Sequence, residues 1–267
     1  MKRSFVIKSN TSKDEKRLKD IFTITNRFPT EYSTKLSVTP VFNQGKGGMC
    51  VACSLSLLYF ILRYKRTVID NEIVDPVDIY GNRYEESHLG KGMKINEAIQ
   101  YTIDNGVYFD SLFSTLSLFE TVYNGLTYEE SLKYCANNKD RKRFPIINYY
   151  YSVHNINEIK SAIINFGACI LMIPIYHCYK YPTKQINDYY VEYSLQEYES
   201  EPEYFHTVVI SGWKYKYWKA HNTWGEKFGN NGVTYLSFDY PIIEGWVCVD
   251  KFDDTNYGLQ LLSNTNI

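Results

Sequence analysis

Apolar residues gather in the chain in two kinds of pattern. Residues 54–62, SLSLLYFIL, are apolar with little interruption, and with the glycine-rich turn before them they predict a buried helix from Cys50 to about residue 66. Residues 95–105 instead place Ile95, Ala98, Ile99, Thr102 and Ile103 at helical spacing, and Asn105-Gly106 stops that helix. Residues 156–166 predict a further helix ending at Gly167, after which residues 168–175, ACILMIPI, are uniformly apolar and predict a buried strand. Shorter strand patterns follow at 207–213, 216–222, 232–238 and 246–249. Helices early and strands late imply an α+β chain of two lobes, with about 41–135 helical and about 136–267 β-rich. Residues 1–40 form a polar N-terminal extension, either a surface segment or a short cover, with a helix expected at 12–22 capped by Ser12. Residues 70–89 read as charged and irregular, and residues 110–145 show no clear period. The run 139–143, KDRKR, reads as a solvated connection between the lobes.

Composition narrows the function classes. Lys and Arg number 29 against 30 Asp and Glu, so no strong basic excess points to a nucleic-acid partner. The apolar runs fall far short of the ~20 residues that span a bilayer, and residues 4–14 lack a secretory apolar core. The six cysteines, at 50, 53, 135, 169, 178 and 248, leave an odd remainder once a nucleophile is set aside. That argues against a disulfide scaffold and for a reducing, intracellular or particle-enclosed setting.

The candidate chemistry begins at Asn43-Gln44-Gly45-Lys46-Gly47-Gly48-Met49-Cys50. A thiol at a helix N-terminus meets unpartnered backbone N–H groups and the positive end of the helix dipole, which favour its thiolate. His206 opens an apolar strand, and His221-Asn222-Thr223-Trp224-Gly225 follows. Gln44, Cys50, His206 and Asn222 together supply the donor, nucleophile, base and orienting group of thiol acyl transfer. Cys50 and Cys53 form a Cys-x-x-Cys pair, but no second such pair or His-x₃-His set accompanies it, so no metal or other cofactor is expected. Cys53 is read as a core residue, with capture of an oxidised Cys50 as the sharper alternative. His221 should point away from Asn222, to the surface.

These blocks resemble the papain-like cysteine peptidase family, whose fingerprint is Gln-Gly-x-x-Gly-x-Cys, a His before a small residue and an apolar strand, and Asn-Ser-Trp-Gly. The match runs from about residue 41 to 238, and Gln44 precedes Cys50 by the family's six residues. The resemblance implies a two-lobe papain-like fold with an active-site cleft, a polypeptide substrate and cysteine endopeptidase activity. Cys50 would be the nucleophile, His206 its ion-pair partner and Asn222 the group orienting His206. Gln44 and the Cys50 N–H would bind the oxyanion, and Trp224 would shield the His–Asn hydrogen bond. The resemblance further implies that Gly92, or else Gly90, pairs with substrate backbone. Met172 and Thr207 would line an apolar pocket for a bulky residue two positions before the cut. Val51 stands where the family usually has Trp, and no long prosegment is evident, which suits a microbial or viral member acting inside a cell or virion. Glu192, Glu197, Glu199, Glu201 and Glu203 would form either a solvated loop or an acidic rim. Two other readings remain: a silent papain-like fold used for binding, and a thiol acyltransferase, against which Asn222 argues because such enzymes usually carry Asp there.

Overall fold

The computed structural model describes residues 16–36, 39–45, 47–65, 72–83, 92–111, 128–193 and 201–250. Its centre is helix α2, Cys50–Lys65, in which every residue from Cys50 to Leu62 is buried. A helix apolar on all sides is stable only when enclosed, and this one lies between a large sheet and the smaller helices.

Among the described residues the sheet has nine strands: β1 Glu31–Ser33, β4 Ile147–Ser152, β5 Cys169–Ile175, β6 Thr183–Gln185, β7 Asp188–Val191, β8 Tyr204–Lys214, β9 Tyr217–His221, β10 Val233–Ser237 and β11 Glu244–Asp250. Their order is β4-β11-β5-β8-β9-β10-β7-β6, with β1 added on β8. All pairs are antiparallel except β10 with β7. The uniformly buried β5 is hydrogen-bonded between β11 and β8, as its unbroken apolar run requires. Helices α4, Ile95–Asn105, and α6, Ile156–Phe166, fall where the periodicity put them. Gly106 and Gly167 end them at positive φ, 71° and 94°. The α+β, papain-like character inferred from the sequence is what the structure has. Among the described residues no helix is long and apolar enough to cross a membrane.

Three stretches differ from expectation. The segment 70–89 contains strand β2, Glu72–Val74, paired with β3, Phe109–Ser111, and the buried helix α3, Pro76–Gly81. Asp75 caps α3, accepting the Val77 N–H at 2.9 Å, and Pro76 takes the first helical position.

The charge run 139–143 is not simply solvated. Arg141 reaches Asp75 Oδ2 at 3.2 Å and Arg143 reaches Asp78 Oδ1 at 2.5 Å, and both carboxylates are buried. Tyr134, on α5 (Tyr128–Asn137), donates to Asp75 Oδ2 at 2.7 Å. Burial still pushes the Asp78 carboxyl up to about 6, against the pull of Arg143. Replacing Arg143 with methionine should therefore cost about 3–5 kcal/mol at pH 7.5, because it strands a buried charge. The loss should shrink below pH 6, where Asp78 takes up a proton, and urea melts at the two pH values would show it.

The N-terminal segment is built onto the sheet. Leu18, in the one-turn helix α1 (Leu18–Ile21), is fully buried. Phe22 packs edge-on to Phe166 at 5.2 Å, and Tyr32 stacks on Trp213 at 5.2 Å. β1 crosses β8 at Gly212, where a Cβ would lie 2.3 Å from the Tyr32 carbonyl oxygen. This contact is six to eight residues along β8 from His206, roughly 20 Å at strand rise. Residues 16–36 thus brace the sheet far from His206. The rest of the helix expected at 12–22, before residue 16, lies outside the described residues.

Candidate active site

β8 carries His206 near its start, opposite Ile173 of β5. Asn222 follows the last residue of β9, and its N–H is fixed by the Gly232 carbonyl at 2.8 Å. The His206 Nε2–H donates to Asn222 Oδ1 at 2.6 Å, and that oxygen also accepts the Thr223 N–H at 2.7 Å. Both residues are almost wholly buried. The Trp224 ring lies 4.8 Å from the imidazole, and Tyr179 and Phe228 pack edge-on against Trp224 at 5.5 and 5.0 Å. This aromatic group encloses the His–Asn hydrogen bond. The other ring nitrogen, Nδ1, is buried and has no hydrogen-bond partner among the described residues.

Cys50 is the first residue of α2. The Cys53 N–H donates to the Met49 carbonyl at 2.9 Å, which puts the Cys50 N–H in the first turn of the helix. The thiol lies against Thr207, the neighbour of His206, which hydrogen-bonds to it through hydroxyl and backbone. Ser54, one turn on, donates to Thr207 Oγ1 at 3.2 Å, fastening the helix start to β8. The structure thus sets Cys50 against Thr207, the neighbour of His206, and ties His206 to Asn222.

Gln44 joins them through Thr223. The Gln44 N–H donates to the Thr223 carbonyl at 2.9 Å, and the Thr223 hydroxyl donates to Gln44 Oε1. Gln44 Nε2 donates to the Gly47 carbonyl at 2.9 Å, which uses one of its two hydrogens. Thr223 thus holds the acceptor end of the Gln44 amide and the acceptor oxygen of Asn222 together. Sequence reasoning passed over it, although its place between Asn222 and Trp224 was the available signal. The crossing is tight: Gly225 has φ 85°, and a Cβ there would lie 3.0 Å from Asn43 Nδ2.

Burial dominates the electrostatics. It pushes the Cys50 thiol up to about 11, although Thr207 and the Cys50 and Val51 backbone pull the other way. It pushes His206 down to about 4, against the Asn222 hydrogen bond. Each group alone is thus neutral near pH 7, so an ion pair can form only by proton transfer between the two. Cys53 is buried and its thiol is raised by burial and by Cys50, as a core residue's would be.

His221 is not a surface residue. It is buried, shares a 2.7 Å hydrogen bond with Ser211 Oγ, and is held down to about 3 by burial and then by Lys219. His206 and His221 are neutral when folded but have pKa values of about 6.5 when unfolded. Their contribution to stability is therefore complete above pH 6.5 and is lost as pH falls toward 4 and 3. Asp78, raised when folded, acts in the opposite sense, adding stability as pH falls below about 6. His221→Gln should flatten the acid side of the stability–pH curve by about 1.4 kcal/mol per pH unit. Urea melts between pH 6.5 and 4.5 would check this, and unchanged slopes would contradict it.

Of the expected substrate contacts, Gly92 is buried just before α4, while Gly90 lies outside the described residues. Met172 and Thr207 are opposed in register on β5 and β8, and both are fully buried. In the acidic loop, Glu192 accepts from Tyr217 and Glu203 pairs with Lys180, while Glu197 and Glu199 lie outside the described residues. All six cysteines are free. Among the described residues no group of three or more His, Cys, Asp or Glu is placed to hold a metal ion.

A family model described as papain family cysteine protease matches residues 28–241. No curated protein matches the sequence. Among solved structures, the chain is similar to xylellain, a cysteine protease from Xylella fastidiosa, with TM-score 0.67 and 17% identity, over 93% of this chain and 98% of that one. It is similar to procathepsin B S9 from Trypanosoma congolense, with TM-score 0.63 and 13% identity, over 84% of this chain and 78% of that one. The bromelain protease from Ananas comosus, solved with the inhibitor E64, gives 0.59 and 16% over 84% of this chain and all of that one. At these identities the solved structures speak for the fold.

Proposed function

The chain belongs to the papain family of cysteine proteases, and from that premise we propose that it is an endopeptidase in which Cys50 is the nucleophile, His206 the proton carrier and Asn222 the group that orients it. The observation that carries this reading is the state of the buried His206 ring. One nitrogen is tied to Asn222 at 2.6 Å and the other has no hydrogen-bond partner among the described residues. A histidine that only filled the core would have both nitrogens satisfied or one exposed.

In the proposed reaction the Cys50 proton passes to His206 Nδ1 and Sγ attacks the scissile carbonyl carbon. Charge separates only between the two partners, so the site as a whole takes on no net charge. That lessens the penalty that holds Cys50 at about 11 and His206 at about 4 when each ionises alone. The carbonyl oxygen, now negative, accepts hydrogen bonds from the Cys50 N–H and the second Gln44 Nε2 hydrogen. The C–N bond breaks as His206 delivers its proton to the leaving amine, leaving a thioester on Cys50. Water then loses a proton to His206 and attacks the thioester, which releases the carboxyl product and returns the proton to sulfur.

Thr223 positions both halves of this machinery, and Trp224 with Tyr179 keeps water from the His–Asn bond. Cys50 and His206 have no exposed surface, so substrate must part the side chains above them. Six free cysteines suit a reducing, intracellular compartment or a virion interior. Incubation with an unfolded protein, followed by mass mapping of the fragments, tests the reading: internal cuts that disappear in Cys50→Ser are expected. Cuts that persist in that variant, or none in the wild type, would refute it.

A further inference from the structure

Helix α3 carries Tyr80 against the turn that leads to Cys50. Tyr80 is 3% exposed, and its hydroxyl oxygen accepts the Gly48 N–H. The hydroxyl also lies close enough to Cys50 to feel the charge of a thiolate there. Arg83, itself buried, sits over the Tyr80 ring at 4.2 Å and donates to the Tyr80 carbonyl at 2.8 Å, which holds the ring in place.

The Gly48 N–H belongs to the same peptide as the Gly47 carbonyl, and that carbonyl accepts from Gln44 Nε2 at 2.9 Å. A trans peptide is planar, with its N–H and C=O pointing in opposite directions. This peptide is therefore gripped from both sides, by Tyr80 at its N–H and by Gln44 at its oxygen. The Gly47 N–H donates to the Gln44 carbonyl at 3.2 Å, which closes the turn but leaves the next peptide plane free. Glycine on both sides of that plane leaves no Cβ to oppose its rotation. Turning it would swing the Gly47 carbonyl away from Gln44 and release the amide that the carbonyl aims.

Tyr80 stands on a firm mount. Asp75 caps α3 and pairs with Arg141, and Asp78 pairs with Arg143. At Gly81, next to Tyr80, a Cβ would lie 2.6 Å from Cys135 Sγ and 2.8 Å from the Ser131 carbonyl oxygen, so α3 lies hard against α5. The buried ion pairs thus hold the helix whose side chain reaches the turn before the nucleophile.

We propose that Tyr80 is a positioning residue for the reaction: by holding the N–H of the Gly47–Gly48 peptide it keeps the carbonyl of that peptide on Gln44, and so keeps the second Gln44 Nε2 hydrogen aimed at the oxyanion. This rests on the proposed function, in which Gln44 stabilises that charge. Tyr80 acts only through Gln44, at the step in which the substrate carbonyl oxygen becomes negative. A donor turned out of line loses much of its hydrogen bond.

The test is a double-mutant cycle on the full-length protein with a fluorogenic peptide, the active Cys50 being counted by exhaustive labelling with a peptidyl epoxide. Tyr80→Phe keeps the ring and removes the acceptor. It should lower kcat by about tenfold with little change in KM, the scale of one misdirected hydrogen bond. In a Gln44→Ala background the same substitution should cost less than about twofold, because the group it acts through is gone. Alkylation of Cys50 by iodoacetamide develops no oxyanion and should run at the wild-type rate in Tyr80→Phe. Should Tyr80→Phe fail to fold, a ring-fluorinated tyrosine at position 80 keeps the shape with a weaker acceptor, and its smaller fall in kcat should likewise vanish without Gln44. An unchanged kcat in the single variant, a full loss that persists in Gln44→Ala, or alkylation slowed as much as peptide cleavage overturns the inference and leaves the peptidase reading intact. Gln44→Ala with wild-type kcat overturns the inference together with the role of Gln44. A wild type that neither cleaves the peptide nor takes the epoxide overturns the peptidase reading as well.

Discussion

Replacing His206 with alanine should lower kcat/KM at pH 7 by about 10⁴-fold. The cause lies in the Cys50 thiol, which burial holds at about 11. Without an acceptor beside it, about one thiol in 10⁴ is ionised at pH 7. The same variant should change how Cys50 reacts with iodoacetamide. In the wild type the alkylation rate should already be high near neutrality, because the proton can move to His206 Nδ1. In His206→Ala the rate should rise about tenfold per pH unit up to pH 10, as for a thiol that must ionise into solvent. Identical pH profiles would mean that His206 does not take the Cys50 proton. Mapping the label to Cys50 separates its reaction from that of half-buried Cys178.

Gln44→Ala should lower kcat by about 10²–10³ with little change in KM, the usual loss for one oxyanion donor. The split matters because Gln44 also braces the chain crossing: its backbone N–H is bonded to the Thr223 carbonyl at 2.9 Å. That backbone bond survives the substitution, and folding should be retained. Only the Nε2 donor, and the Oε1 acceptor that meets the Thr223 hydroxyl, are lost. A parallel fall in kcat/KM for substrate and in epoxide labelling would trace the loss to acylation. An unchanged kcat would remove Gln44 from the transition state.

What could be read from the sequence depended on whether a residue's partner was close along the chain. The helix at 95–105 and the strand at 169–175 were legible because their apolar periods are local and have clear stops, Gly106 and Gly167 at the helix ends. Cys50, His206 and Asn222 could be singled out as candidates because each sits at the junction of a readable element.

Other features depend on distant pairings. Phe22 and Tyr32 lie in a mostly polar stretch without a clear period, and their partners Phe166 and Trp213 are more than a hundred residues away. Arg141 and Arg143 look solvated until Asp75 and Asp78 are found buried beneath them. His221 was assigned to the face opposite Asn222, but burial on that face is set by strand pairing with Val209 and Val233.

The central claim, that Cys50 and His206 act as a pair, is tested most directly by a peptidyl epoxide on the purified full-length protein. Intact mass and peptide mapping would be compared for wild type, Cys50→Ala and His206→Ala. One adduct on wild-type Cys50, with none on Cys50→Ala and little or none on His206→Ala, is the predicted result. Folded wild-type protein that leaves Cys50 unlabelled, or His206→Ala that labels as fast as wild type, would contradict the account.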